Sequence, residues 1–130
     1  MATTITDEFR LELLKRASKL ELKYNHMLAG HIEKEYEFTQ EDKHYFMDNI
    51  KPYTDRYIAD LNSHMNHQVK KTTCQLNGLW INYMKPGEYN PVHIHTNCKV
   101  SSVCYLKTPK QQVIDRKHHY KTDGKITFTN

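Results

Sequence analysis

Two histidines separated by one residue, His93 and His95, are the clearest candidates for chemistry in this chain. An alternating apolar and aromatic run at 79–84 precedes them, a Pro-Gly pair follows that run at 86–87, and a second alternating run spans 100–107. This order is typical of a strand, a turn and two further strands. Because residues i and i+2 of a strand face the same side, the two imidazoles are predicted to converge on one metal ion.

The elements that position this pair are predicted to be strands. From Thr72 onward the hydrophobic period changes from helical to alternating, and β-branched and aromatic residues become more frequent. An Asp-Gly pair at 123–124 is a turn signal before the last run. The predicted strands lie at about 75–84, 91–95, 100–107, 111–114 and 124–129.

The first part of the chain has helical periodicity. Thr6 is a predicted helix cap, and two acidic residues follow it in the first turn, where carboxylates meet the positive end of the helix dipole. Apolar residues then recur at helical spacing, which predicts an amphipathic helix to about Tyr24. The connection at 25–38 is predicted to be a loop or extended segment, with room for a short strand at 32–38.

A second helical region follows. Thr39 and Asp42 form a variant of the capping box at its start. Pro52 is predicted to interrupt it, because proline lacks the backbone N–H that a helix interior needs. Beyond that residue, a further helix is predicted to end near His67.

Helices first and strands afterwards indicate an α+β fold, with the helices packed on one face of a sheet or half-barrel. At 130 residues the chain is long enough for a single domain only. We expect one domain over 1–130, with a helical part at 1–70 and a β-rich part at 71–130.

Composition excludes several classes of function. Nineteen Lys and Arg against fifteen Asp and Glu give a charge of +4, but the basic residues are spread along the chain, so nucleic acid is not an expected partner. Three cysteines without CxxC spacing favour a reducing compartment. The sequence has no transmembrane run and no signal peptide pattern, so a cytoplasmic protein without a membrane partner is expected.

The second half of the chain resembles a known enzyme superfamily. The motifs are Trp-x-Asn at 80–82, Pro-Gly at 86–87, Pro-x-His-x-His at 91–95 and Ser-Ser-Val-x-Tyr-Leu-Lys-x-Pro at 101–109. Together they resemble the Fe(II)/2-oxoglutarate-dependent oxygenases, and in particular a compact phage and bacterial group related to the prolyl-4-hydroxylases. The segment 28–36 is similar to the N-terminal part of that group.

The resemblance implies a fold, a reaction and a location. The β-rich part would be a partial double-stranded β-helix, a jelly-roll or cupin-like fold. Fe(II) and the cosubstrate 2-oxoglutarate would support hydroxylation of an unidentified small-molecule or protein substrate, with decarboxylation of 2-oxoglutarate to succinate. A phage-encoded member would work in the host cytoplasm. Pairing of two copies of the chain stays open.

By the resemblance, His93 occupies the place of the first iron ligand. The alternative is a histidine hydrogen-bonded at a strand end. His95 departs from the family, which usually has Asp or Glu there, so it is either a second imidazole ligand, a group that supports the ligands without binding the metal, or a group facing the substrate. Two imidazoles lack the carboxylate that would balance the charge of the metal.

The resemblance also implies cofactor-binding tyrosines. Tyr83 lies where related enzymes have a tyrosine that hydrogen-bonds the cosubstrate, and Tyr105 on a following strand would line the same cavity. Asn82 would face the opposite side of its strand. For each tyrosine the alternative is a core residue with a hydrogen-bonded hydroxyl. Trp80 is expected in the core.

The end of the chain is the second departure. The family has a distal histidine followed by Arg or Lys, whereas His118 and His119 come much sooner after His93 and look like part of a solvated loop. The expectation is a chain truncated at its C-terminus. The alternatives are a site completed by another subunit, a non-catalytic β-sandwich module such as a phage interaction protein, and a cupin-like metal protein.

Overall fold

The computed structural model describes residues 2–65, 74–109 and 126. It has two helices and a small antiparallel sheet, which confirms the α+β class. Among the described residues, no helix is both long and apolar enough to cross a membrane. The helices and strands, in chain order, are α1 (Asp7–Ala17), β1 (Lys34–Glu37), α2 (Gln40–Met65) and β2 (Trp80–Tyr83), with a 3-10 turn at Asn25–Met27 before β1.

Helix α1 begins as predicted and ends earlier. The Thr6 hydroxyl accepts a hydrogen bond from the backbone N–H of Phe9 at 3.2 Å, which satisfies a free donor of the first turn. The prediction that the helix continues to about Tyr24 is wrong. After Ala17 the chain turns and becomes extended, because the carbonyl of Leu22 and the N–H of Tyr24 hydrogen-bond to β1 instead.

Helix α2 begins with the predicted capping box. The backbone N–H of Asp42 donates to the Thr39 hydroxyl at 3.2 Å, and the N–H of Thr39 donates to the Asp42 carboxylate at 3.2 Å. Asp42 also accepts a hydrogen bond from Arg16 of α1 at 2.9 Å. The cap therefore fixes α2 to α1 as well as starting it.

The predicted break at Pro52 is wrong. Helix α2 continues for 26 residues with Pro52 inside it. Pro52 and Asp48, the residue whose carbonyl loses its partner, are both exposed, so solvent can replace the missing hydrogen bond. The predicted helix end near His67 lies outside the described residues.

The core forms where the two helices meet. Phe9 and Leu13 of α1 and Phe46 of α2 are buried together, with the two phenylalanine rings 5.8 Å apart. Leu106 packs against this cluster, and its carbonyl accepts a hydrogen bond from Arg10 at 3.3 Å. The core thus holds part of the C-terminal segment against α1.

Strands β1 and β2 form an antiparallel pair that joins the two halves of the chain. Glu35 lies opposite Asn82, and Glu37 lies opposite Trp80. These four residues share one face of the pair, because side chains alternate along a strand. The short strand predicted at 32–38 is confirmed as β1.

The rest of the predicted sheet is not found in the described residues. The run predicted at 75–84 is a strand only at Trp80–Tyr83, and 91–95 and 100–107 are not strands. Alternation indicates a preference for extended backbone, but a strand also needs a partner for its N–H and C=O groups. No double-stranded β-helix is seen in this part of the chain. The predicted strands at 111–114 and 124–129 lie outside the described residues, apart from Ile126.

We expect Asp42→Asn to lower the free energy of unfolding at neutral pH by about 1–3 kcal/mol, because it removes a charge-assisted hydrogen bond between the helices. Burial opposes ionisation of Asp42, but hydrogen bonds from Thr39 and Arg16 outweigh it and lower the pKa. The stabilisation is therefore present above about pH 4 and lost as the pH falls through the lowered pKa. Urea unfolding at several pH values measures both effects.

The matched control is Glu41→Gln, a neighbouring carboxylate that lies 3.6 Å from Arg16 with its side chain 87% exposed. It should change stability far less. Equal losses in the two variants would contradict the role assigned to the cap.

Candidate functional site

The site is built on a turn that follows β2. The Glu88 carboxylate accepts a hydrogen bond from the backbone N–H of Lys85 at 2.7 Å and another from the N–H of Glu33 at 2.9 Å. These bonds lower the pKa of Glu88. Gly87 has φ of 87°, a conformation that glycine adopts without steric cost. The Lys85 ammonium forms an ion pair with the Glu33 carboxylate. One carboxylate thus closes the turn and attaches it to the residue before β1.

The chain after the turn is attached at a second point. The backbone N–H of His31 donates to the Tyr89 carbonyl at 2.8 Å, and the two rings stack with centroids 5.0 Å apart. Beside this contact a Cβ at Gly30 would lie 2.5 Å from the side-chain oxygen of Asn90. Any side chain at position 30 would require the Asn90 side chain to shift. The segment that leads to the histidine pair is therefore fixed before it reaches them.

The two predicted metal ligands converge. Nε2 of His93 lies 3.2 Å from Nε2 of His95, and the ring centroids are 4.9 Å apart. Nδ1 of His93 lies 2.7 Å from the Pro91 carbonyl. Since a carbonyl only accepts, Nδ1 carries the proton and the lone pair of His93 is on Nε2, facing His95.

This spacing fits two ligands of one ion. Imidazole nitrogens bound at about 2.1 Å lie about 3.0 Å apart at a right angle and about 3.4 Å apart at a tetrahedral angle. The observed 3.2 Å falls between these values. Both histidines are exposed, so a metal can reach them from solvent. Among the described residues no third His, Cys, Asp or Glu completes a metal group, and His118 and His119 lie outside them.

Aromatic rings back the histidine pair. The Trp80 ring lies 6.3 Å from the His95 ring and 6.0 Å from the Tyr24 ring. Trp80 is only half-buried, at the edge of the fold, so the prediction of a core residue describes it incompletely. Tyr24 was not a sequence candidate, because nothing local indicates that its segment pairs with β1.

In the described part of the chain, neither of the two tyrosines predicted to bind the cosubstrate makes a ring contact with His93 or His95. Tyr83 is on the face of β2 opposite Trp80, and its ring meets the Tyr36 ring edge-on at 6.1 Å. Burial, with a smaller effect of Tyr36, raises the pKa of Tyr83. Tyr105 is half-exposed, in the segment that follows the pair.

Sequence reasoning missed a buried carboxyl group near the site. Glu35 is 0% exposed, and one of its oxygens accepts a hydrogen bond from Asn25 at 3.2 Å. The other oxygen has no hydrogen-bond partner. Burial, and to a lesser degree the charge of Glu88, raises the pKa of Glu35. In the sequence Glu35 is indistinguishable from Glu33 and Glu37, so no signal could have found it.

One comparison with known proteins finds a match, and it lies in the second half of the chain. The model of a family described as "Putative 2OG-Fe(II) oxygenase" matches residues 78–130, which are less than half of the chain. The match supports membership of this segment in the Fe(II)/2-oxoglutarate oxygenase superfamily and includes the turn and the histidine pair. No curated protein and no solved structure matches the chain.

We expect Glu88→Gln to loosen the turn, because an amide is a weaker acceptor for the N–H groups of Lys85 and Glu33 than a carboxylate. Amide hydrogen exchange at these two positions should accelerate relative to wild type at neutral pH. Glu21→Gln, the same change at an exposed glutamate, is the control. If exchange at these positions is unchanged, Glu88 is not the group that holds the turn.

Proposed function

We propose that this protein is a non-haem Fe(II)/2-oxoglutarate-dependent dioxygenase that hydroxylates an unidentified substrate, with His93 and His95 as two of its iron ligands. The observation that carries the proposal is the convergence of their Nε2 atoms to 3.2 Å. The family match over 78–130 supports the reaction class.

The hydrogen bond of His93 prepares it for metal binding. With its proton on Nδ1 and donated to the Pro91 carbonyl, Nε2 is a free ligand without any change in ring orientation. His95 differs, because the 3.2 Å between the two Nε2 atoms is also a hydrogen-bond distance, and with the lone pair of His93 on Nε2 the donor in such a bond would be Nε2 of His95. To become a ligand, neutral His95 must move that proton to Nδ1. His93 is therefore the preorganised ligand, and His95 is the ligand that changes tautomer.

The donor set fits iron incompletely. Imidazole suits Fe(II), but two neutral imidazoles bring no negative charge, and the usual site of this kind adds a carboxylate. Beyond the pair, we propose His118, His119 or a partner chain as the source of a further ligand. Iron with bound 2-oxoglutarate supplies oxidative decarboxylation of the cosubstrate coupled to C–H hydroxylation.

Further proposals concern the surroundings of the pair. Tyr83 and Tyr105 are proposed to contact 2-oxoglutarate, and the β-rich part is proposed to be a partial double-stranded β-helix of the phage and bacterial prolyl-4-hydroxylase-like group. A tyrosine hydroxyl is protonated at neutral pH, and burial raises the pKa of Tyr83 further, so this hydroxyl is available as a hydrogen-bond donor to a carboxylate. The resemblance to this group is also the basis for proposing a cytoplasmic location, which for a phage protein is the cytoplasm of the host.

We expect His93→Ala to weaken Fe(II) binding at least about tenfold, because it removes the preorganised ligand, a larger change than the loss of a supporting group. The measurement is an anaerobic titration of the metal-free protein with Fe(II) and 2-oxoglutarate, followed by the visible charge-transfer absorption. His44→Ala, which removes an exposed histidine from α2, is the control and should leave the titration unchanged.

Absorption that appears in wild type and in both variants alike would remove the histidine pair from the metal site. Absence of any absorption in wild type would contradict the proposed function and favour a non-catalytic module with the same fold.

We expect Tyr83→Phe to weaken 2-oxoglutarate binding to the iron-loaded protein while leaving Fe(II) affinity unchanged, because it deletes one hydroxyl donor. The loss of one such hydrogen bond corresponds to about 0.5–1.5 kcal/mol. Calorimetric titration with 2-oxoglutarate measures it, and Tyr36→Phe on the same face is the matched control. If both variants bind 2-oxoglutarate like wild type, Tyr83 only packs against Tyr36.

A further inference from the structure

Glu35 lies in β1 beneath the segment that carries the histidine pair. Its side chain is 0% exposed, and its Oε1 has no hydrogen-bond partner. A Cβ at Gly30 would lie 2.9 Å from this oxygen and 2.5 Å from the Asn90 side-chain oxygen. The side-chain oxygens of Glu35 and Asn90 thus lie on either side of Gly30. A change in charge at Glu35 therefore acts on Asn90, which lies three residues before His93.

The groups around Glu35 are short of hydrogen-bond donors. The side-chain oxygens of Asn25 and Asn82 are also buried without a partner. Asn25 cannot help by turning its amide, because its nitrogen already donates to the Ile32 carbonyl at 2.6 Å and to Glu35 Oε2 at 3.2 Å. Asn82 lies directly opposite Glu35 in the strand pair. A proton on Glu35 Oε1 would turn that oxygen into a hydrogen-bond donor. A neighbouring unpartnered oxygen could then accept its hydrogen bond.

Among the nearby charged groups, the carboxylate of Glu88 opposes an ionised Glu35. On the turn, Glu88 is an anion whose charge disfavours a second one. Lys85 is paired with Glu33. Two further lysines flank the carboxyl group in the chain, Lys34 beside it in β1 and Lys23 opposite Tyr36, and both are exposed.

We propose that Glu35 is protonated in the folded protein and that this proton holds the 89–95 segment in place, so that its loss at higher pH displaces the histidine pair. The effect on the pair deepens the proposed function and rests on it, whereas protonation of Glu35 does not. The proton supplies the donor that Oε1 lacks, and we assign as its acceptor the unpartnered oxygen of Asn82, which lies directly opposite in the strand pair.

A bound cation is the competing occupant of this cluster, and the structure favours the proton. Among the described residues no group of three His, Cys, Asp or Glu side chains surrounds a common point, so a cation at Glu35 would have at most one further ligand of these types. Asn25 also turns its N–H, and not its oxygen, toward Glu35. A hard cation prefers several oxygen ligands, commonly with more than one carboxylate.

The direction of the pH dependence follows from the raised pKa. Between the ordinary value of 4.5 and the higher value in the folded state, the folded protein binds a proton that the unfolded chain has lost. Stability from this group is complete below pH 4.5 and decreases as the pH rises through that window. This is opposite to the pH dependence that Asp42 contributes.

We test the proposal on the metal-free chain with Glu35→Gln, which imitates the protonated acid. In wild type, the equilibrium constant for unfolding should rise with pH within the window, by at most about tenfold per pH unit, and in Glu35→Gln this rise should be absent. Amide exchange at His31, corrected for the intrinsic effect of pH, should accelerate with pH in wild type and not in Glu35→Gln. Glu21→Gln is the control and should behave as wild type.

Carbon-13 NMR of the Glu35 carboxyl group in wild type decides the proposal directly, even if Glu35→Gln fails to fold. A titration above the ordinary range of glutamate supports it, and a titration within that range overturns it. Stabilisation by added Ca²⁺ in wild type and not in Glu35→Gln would also overturn it, in favour of a cation site. None of these outcomes depends on iron binding, so failure here is distinct from failure of the proposed function.

Discussion

The antiparallel pairing of β1 with β2 is the constraint on which the arrangement of the site depends. Strand β1 precedes the long helix α2 and strand β2 follows it, so their pairing brings together two segments that are far apart in the chain. The same register sets which side chains meet: Glu35 with Asn82, and Glu37 with Trp80. A slip of one residue would exchange the faces and move Trp80 away from His95. The hydrogen bonds of Glu88 and His31 continue this alignment past the strand ends, so the turn and the histidine segment follow the register.

The helices contribute in a different way. Their contact buries Phe9, Leu13 and Phe46, and it is supported by Arg16, which joins the cap of α2 to α1 and lies 4.2 Å above the Tyr45 ring. Apolar burial of this kind is not directional, whereas the strand pair and the turn rely on hydrogen bonds that fix distances. The helical part thus supplies stability and the strand part supplies geometry.

Features encoded within a few residues could be predicted from the sequence. The Thr6 cap, the Thr39 capping box and the closeness of His93 to His95 depend on local spacing and are all present. Features that depend on distant partners could not be predicted. The early end of α1 follows from pairing of 22–24 with β1, and the exposure that tolerates Pro52 follows from packing. The two histidines were expected to converge because 91–95 was predicted to be a strand. They converge although this segment is not a strand.

The exposure of His93 and His95 also affects which metal they would hold. The described residues around this exposed pair form no wall that selects an ion by size. Affinity of nitrogen ligands for divalent metals rises from Fe(II) through Co(II) and Ni(II) to Cu(II). The identity of a metal at this pair is therefore governed by the supply of ions around the protein more than by the two imidazoles. Protein purified on nickel-chelating resins or in the presence of trace copper would therefore carry nickel or copper at this pair.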